Sequence, residues 1–261
     1  MAEYGTARPK RRRGRGLLIT LIILLIIVGG VLFAADRIGR SYAERIISDQ
    51  VSDQVTSQKA TSEKPDVTIE GFPFLTQVLH GRYDEIKIDL ADFSGPTGKG
   101  DQKIKIPLLD IRARDVQASI DTLRSGGTIV AGTVSGTGSI DYPQLIALIN
   151  QPGLTLADKN GKLTGSAEVP ALGQKLKVTG EAKLSVSNGV VHVSFADIDS
   201  PDLPNLPGIK ALVAGYVAKL GVDIAVPTLP LDLKVQQVQV LPDGLKFTAG
   251  ASNVKLNSSG V

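Results

Sequence analysis

The chain has 261 residues, with 29 Lys and Arg against 26 Asp and Glu, no cysteine and two histidines. Six cations but one anion fall in residues 1–16, so the remainder carries 23 cations against 25 anions and is not basic. These numbers exclude thiol catalysis, thiolate metal sites and a His-rich zinc site, and they leave no basic patch with interleaved aromatics for nucleic acid.

Residues 1–16 read as a basic cytoplasmic tail built on Arg8, Lys10, Arg11, Arg12, Arg13 and Arg15. Residues 17–35 are uncharged and nearly all aliphatic. As a helix they span about 28 Å, close to the hydrocarbon thickness of a bilayer. Lys and Arg are retained on the cytoplasmic side, so the C-terminal body is expected outside the plasma membrane. A cleaved signal peptide is the rival reading. Its small residues at −3 and −1 are missing: a cut after Ala35 puts Phe33 at −3, and a cut after Ala34 puts Leu32 there. The pattern favours an uncleaved single-pass anchor.

Residues 36–64 form a juxtamembrane helix and linker. Ile38, Tyr42 and Ile46 recur at fours, as do Ile47, Val51 and Val55, which gives one apolar side. This helix is either a stalk or packs on the domain, and Thr61–Pro65 ends it.

Residues 65–257 read mostly as strands. Ile86, Ile88 and Leu90 alternate with polar neighbours, as do Ile104, Ile106 and Leu108. The phase then shifts to Leu109 and Ile111, which predicts a bulge near Pro107. Asp110 and Asp115, beside Arg112 and Arg114, read as a solvated edge. Leu176 to Val186 keep one parity and predict a long, half-buried antiparallel strand. Asn188-Gly189 predicts a hairpin, whose return strand places His192 on a polar face, and Asp243-Gly244 marks a second hairpin. One helix is predicted after the Asp141/Gln144 capping pair, ending at Asn150 to Gly153. Another is predicted from about Gly208 to Leu220, with an apolar stripe through Leu212, Val213, Tyr216 and Val217. A three-proline connector precedes it, and residues 258–261 are a tail.

Three strands share one arrangement: Val134-x-Gly136-x-Gly138-x-Ile140, Leu163-x-Gly165-x-Ala167-x-Val169 and Val178-x-Gly180-x-Ala182-x-Leu184. Period two puts each set on one face. Glycine weakens a strand, so its use points to close approach by another backbone or a ligand. Aligned in a sheet, these positions predict a shallow apolar trough. Either the 209–220 helix or an acyl chain fills it.

No nucleophile elbow, zinc-protease helix, Walker loop or dinucleotide fingerprint is present, and no cofactor is expected. A Ser-His-Asp triad would have to recruit His80 or His192. Phe72, Phe74, Leu75, Val78 and Leu79 make a compact apolar cluster after Gly71. It is either a lip for a groove or a core plug. Arg82 and Tyr83 follow, a cation and a phenol able to hold a phosphate headgroup.

The segment Gly71-Phe-Pro-Phe-Leu-Thr-Gln-Val-Leu-His-Gly-Arg-Tyr-Asp-Glu-Ile-Lys-Ile-Asp-Leu90 is the most telling stretch. With the basic start, the anchor, Gly244-Leu-Lys-Phe247 and Asn253-Val-Lys-Leu256, it resembles the LmeA-like family of bacterial cell-envelope proteins over about residues 40–257. The resemblance implies an α+β fold: a transmembrane helix, then long, curved antiparallel strands around amphipathic helices, similar to tubular lipid-binding proteins. It also implies phospholipid binding and a part in envelope glycolipid assembly. A phospholipase activity is suggested within the family, and no motif here carries it. Three functions are carried forward, in this order: a lipid-binding module, an adaptor with a filled core, and a lipid hydrolase.

Overall fold

One continuous helix, α1 (Arg13–Ser57), carries both the apolar run and the amphipathic stripe that follows it. The computed structural model describes residues 13–97, 102–119, 121–122, 128–150, 153–171, 174–199, 215, 222–224 and 229–257. The apolar side chains from Leu18 to Phe33 are exposed along their whole length. The later turns pack on the body, where Val51 and Val55 join its core. The amphipathic part of α1 is therefore docked on the domain.

After β1 (Asp66–Ile69) and the short α2 (Phe74–His80), three long strands follow: β2 (Arg82–Pro96), β3 (Lys103–Gln117) and β4 (Thr128–Asp141). Helix α3 (Tyr142–Ile149) leads to β5 (Thr155–Lys159), β6 (Lys162–Ala171), β7 (Gln174–Ser187) and β8 (Val190–Asp199). Then come β9 (Val222–Ile224), a 3-10 turn (Pro230–Asp232), β10 (Lys234–Leu241) and β11 (Gly244–Asn257). The strands form two antiparallel sheets, ordered β1-β2-β3-β4-β11-β10 and β5-β6-β7-β8-β9. This is the expected α+β class, with its strands divided between two sheets. Apart from Gly215, the expected helix at 208–220 lies outside the described residues, as do the proline connector at 200–208 and the tail at 258–261.

The phase shift near Pro107 is present, but no residue is inserted. Ala91 pairs with Leu108 and Phe93 with Ile106, so Asp92 and Pro107 face each other in an unbroken register. Both strands change face at this rung: Leu90 and Phe93 are both buried on β2, Ile106 and Leu109 on β3. Asp92 has φ +49°. A left-handed residue reverses the alternation without adding length, and Asp tolerates that conformation. The expected bulge is thus a paired change of phase.

A second such line crosses four strands. The flanking pairs align Asp84, Asp115, Gly132 and Asn253. Asp115 and Asn253 have φ near +53° and +52°. A Cβ at Gly132 would lie 3.0 Å from that of Asp115. Burial switches parity across this line, as from Ala113 to Val116, Ala131 to Val134 and Ala249 to Val254. Strands of 14 and 15 residues thereby keep an apolar side inward.

β3 lies inside its sheet between β2 and β4, which corrects the expectation of an edge. Its charges occupy the solvent face, where Arg112 pairs with Asp110 at 3.0 Å and Arg114 with Glu85 at 3.0 Å. The Asn188-Gly189 hairpin joins β7 to β8, with both turn residues at positive φ. In the second hairpin the turn residues are Pro242 and Asp243, and Gly244 opens β11. Gly244 is required by close approach instead: its Cβ would meet the Ile140 carbonyl oxygen at 2.1 Å. Asp141 caps α3, its Oδ1 accepting from the Gln144 amide at 2.8 Å. The Gln144 side chain accepts from the Lys105 amide rather than closing a capping box.

Candidate functional site

Two regions collect the residues singled out in the sequence. The first is the junction of α1 with α2. Gly71 turns the chain at φ +92°, and a Cβ there would lie 2.7 Å from the Gln77 amide nitrogen. Gln77 is buried: its Nε2 donates to the Glu70 carbonyl at 3.0 Å, and its Oε1 accepts from the Asp84 amide at 3.1 Å. Phe74 is buried between Gly39 of α1 and the ring of Tyr83. Leu75 and Val78 are half-buried, whereas Phe72 and Leu79 are exposed. The cluster therefore divides into a plug, Phe74, and a free rim, Phe72 and Leu79.

Arg82 and Tyr83 fall on opposite faces of β2, as strand alternation requires. Arg82 is exposed, and Tyr83 is buried beneath Phe74, where desolvation raises its hydroxyl pKa. The structure separates these two headgroup candidates.

Four polar side chains at a spacing of four bolt α1 to this junction. Asp36 Oδ1 accepts from the Leu75 amide at 2.7 Å, and Arg40 donates to the Gly71 carbonyl. Glu44 accepts from the Ile69 amide at 3.0 Å, and Ser48 donates to the Pro65 carbonyl at 2.6 Å. The apolar stripe of this helix stands out in the sequence, and the polar one beside it, at the same i, i+4 spacing, is masked by it.

The second region is the seam between the sheets. β4 belongs to one sheet and β6 and β7 to the other, so the three small-residue strands do not line one trough in a single sheet. Gly165 and Gly180 are direct cross-strand partners. Gly136, Gly138, Gly165, Ala167, Gly180 and Ala182 are all buried. Side chains from neighbouring elements occupy several of these hollows. A Cβ at Gly136 would meet Leu233 at 2.8 Å, one at Gly138 would meet Phe247 at 2.7 Å, and one at Gly165 would meet Phe195 at 2.6 Å. Phe195, Leu233 and Phe247 were not assigned this part from the sequence, because nothing local marks which side chain covers a distant glycine. Leu212, Val213, Tyr216 and Val217 lie outside the described residues.

Between the sheets lies an apolar cavity of about 40 Å³, lined by Ile104 and Ile106, by Val191 and Ile224 of the opposite sheet, and by Leu245 and Phe247. This is well below the roughly 300 Å³ of a small-ligand pocket. Beside it an open cleft of about 680 Å³ runs between the β6–β7 hairpin and β10. It is lined by the apolar side chains of Leu163, Ala182, Leu184, Val238 and Val240 and by the polar ones of Lys162, Glu181, Lys183 and Gln239. Lys162 and Glu181 pair at 2.8 Å.

His80 is exposed, with Nδ1 2.6 Å from the Thr76 carbonyl oxygen. His192 sits in a row across three strands, opposite Ser185 of β7 and Asp223 of β9. Its Nδ1 is 2.5 Å from Asp223 Oδ1, and no hydrogen bond joins it to Ser185 among the described residues.

The family model described as LmeA-like phospholipid-binding matches residues 34–250. No curated protein and no solved structure matches the chain.

Proposed function

Because the chain belongs to the LmeA-like phospholipid-binding family, we propose that it is a single-pass membrane protein whose outer domain takes phospholipid acyl chains into the seam between its sheets. Its N-terminus is cytoplasmic, its domain lies outside the plasma membrane, and the bound lipid serves assembly of envelope lipids or glycolipids. The observation that carries this reading is the seam. Two sheets meet through apolar side chains, and a cleft beside their contact is lined by both apolar and charged side chains. The 40 Å³ cavity has to widen for a chain to enter. Apolar contacts are non-directional, so parting the sheets breaks no hydrogen-bond ladder. Lys183, which lines the cleft, is better placed for a lipid phosphate there than Arg82, which lies on the far side of a buried tyrosine; Lys162 is paired with Glu181.

The test is photocrosslinking of the purified full chain with a phospholipid bearing a diazirine in its acyl chain, followed by peptide mapping. Labelled peptides from residues 181–184 and 238–240 are expected. Label confined to α1 rejects the seam as the site. Native mass spectrometry of the same preparation identifies the headgroup of any lipid retained in stoichiometric amount.

A second reading, lipid hydrolysis, draws on the Ser185–His192–Asp223 row, where the carboxylate holds the imidazole and a hydroxyl faces it across the ladder. Turnover requires the Ser185 hydroxyl to come within hydrogen-bond reach of His192. Release of labelled fatty acid by the full chain, abolished in both His192→Ala and Ser185→Ala, is the expected outcome on this reading. Equal release by all three proteins removes it.

A further inference from the structure

We infer that the segment Gly71–His80 is a second membrane contact, in which Phe72 and Leu79 enter the interfacial layer of the leaflet from which α1 emerges. The inference rests on the reading that α1 spans the bilayer. Phe33 lies within the uncharged run, two residues before its end at Ala35. The ring of Phe72 is packed against it, with centroids 6.3 Å apart. Asp36, the first charged residue after the run, holds the Leu75 amide at 2.7 Å. At about 1.5 Å per residue, Asp36 stands only about 4–5 Å along the axis from Phe33. Residues 72–75 are thus fixed to the helix turn that leaves the hydrocarbon.

Phe72 is 69 % exposed and Leu79 is 75 % exposed, more than any large apolar side chain described from Leu18 to Phe33. The polar bolts at Asp36, Arg40, Glu44 and Ser48 prevent the segment from swinging away. Exposed Arg37 follows Phe33 by four residues and exposed Arg82 follows Leu79 by three, where lipid phosphates would meet them. The occupant of this surface is the bilayer rather than a protein, because the surface is continuous with a helix face that only lipid can cover. Interfacial elements bury their apolar faces about 5–10 Å into the headgroup boundary, which matches this placement.

The chain has no tryptophan, so a single introduced indole reports without background. Phe72→Trp, Leu79→Trp, Phe33→Trp and Leu108→Trp are each made in the full chain and reconstituted into phosphatidylcholine–phosphatidylglycerol vesicles, with and without lipid brominated near the top of the acyl chain. Phe33 marks the span. Leu108 is exposed and pairs with Ala91, nine residues along β2 from Arg82, about 30 Å from the junction. Blue-shifted, bromine-quenched emission at positions 72 and 79, comparable to that at 33, with solvent-like unquenched emission at 108, is the expected result. Quenching at 33 but not at 72 and 79 overturns the second contact and leaves the anchor standing. Blue-shifted but unquenched emission at 72 and 79 means that protein covers the surface, and also overturns it. Absence of quenching at 33 overturns both the contact and the anchor. Leu79→Trp decides the matter if Phe72→Trp fails to fold.

Discussion

The junction of α1 with α2 and the seam between the sheets are held by opposite means. At the junction, side chains from Asp36 to Ser48 and the buried Gln77 meet backbone groups in directed hydrogen bonds. A glycine at φ +92° leaves no room for a methyl group there. At the seam, aliphatic side chains and phenylalanines meet across a small void, with an open cleft alongside. Directed bonds have one good geometry, whereas apolar packing has several of similar energy. The molecule is therefore fixed where it meets α1 and adaptable where the proposed ligand enters.

The sharpest way to break this contrast is at Gly71. Gly71→Val forces a β-branched residue to positive φ and drives its Cβ into Gln77, and should cost about 3 kcal/mol. A fall in the thermal midpoint measures it, and an unchanged midpoint would show the junction to be as adaptable as the seam. Gln77→Ala leaves the Glu70 carbonyl and the Asp84 amide without their partner and should cost about 2 kcal/mol by urea unfolding. Lipid bound per folded molecule should not change in either variant.

The seam should respond in reverse. Val191→Leu fills part of the cavity and is expected to stabilise the fold by about 1 kcal/mol while lowering retained lipid. Higher stability with undiminished lipid would place the ligand elsewhere.

The smallest effect concerns the outer face of the larger sheet, where Asp66, Asp89 and Asp110 stand opposite one another across three strands. Burial, then Asp110 and Asp66, hold the Asp89 carboxyl above the usual carboxylate range. A raised acid binds its proton more tightly folded than unfolded. Its charge therefore costs nothing in strong acid, and the penalty grows as pH rises from the ordinary carboxylate value through the raised one. Asp89→Asn should be more stable than the parent by about 0.5 kcal/mol at pH 7, with the advantage vanishing in acid. Parallel melting curves across that range measure it.

Features with a short-range signature were legible in the sequence. The Asn188-Gly189 hairpin, the Asp141 cap and the apolar run of α1 depend on neighbours within a few residues, and the structure has all three. Asn160-Gly161 carries the same hairpin signature, joins β5 to β6 with both residues at positive φ, and was overlooked. Assignment of strands to sheets was not legible. Val134–Ile140 and Leu163–Val169 share a pattern yet lie in different sheets, and each pattern answers to whatever covers it: Leu233 and Phe247 in one, Phe195 in the other. The change of face at Pro107 could be seen, but its cause lay on the partner strand at Asp92. At the candidate site, residue types told that a hollow existed and not what filled it.

The unbroken helix has a consequence for reach. From Asp36 to Ser57 it runs beside the body for about 33 Å without a linker, tied at four successive turns. On the proposed reading, in which α1 spans the bilayer, a domain so mounted has no tether to pay out and stands at constant height above its own membrane. It can search that surface by lateral diffusion but cannot travel across the space beyond it. On that reading any acceptor of the bound lipid must come to it, and the class of partner to seek is a mobile carrier or a protein seated in the same bilayer.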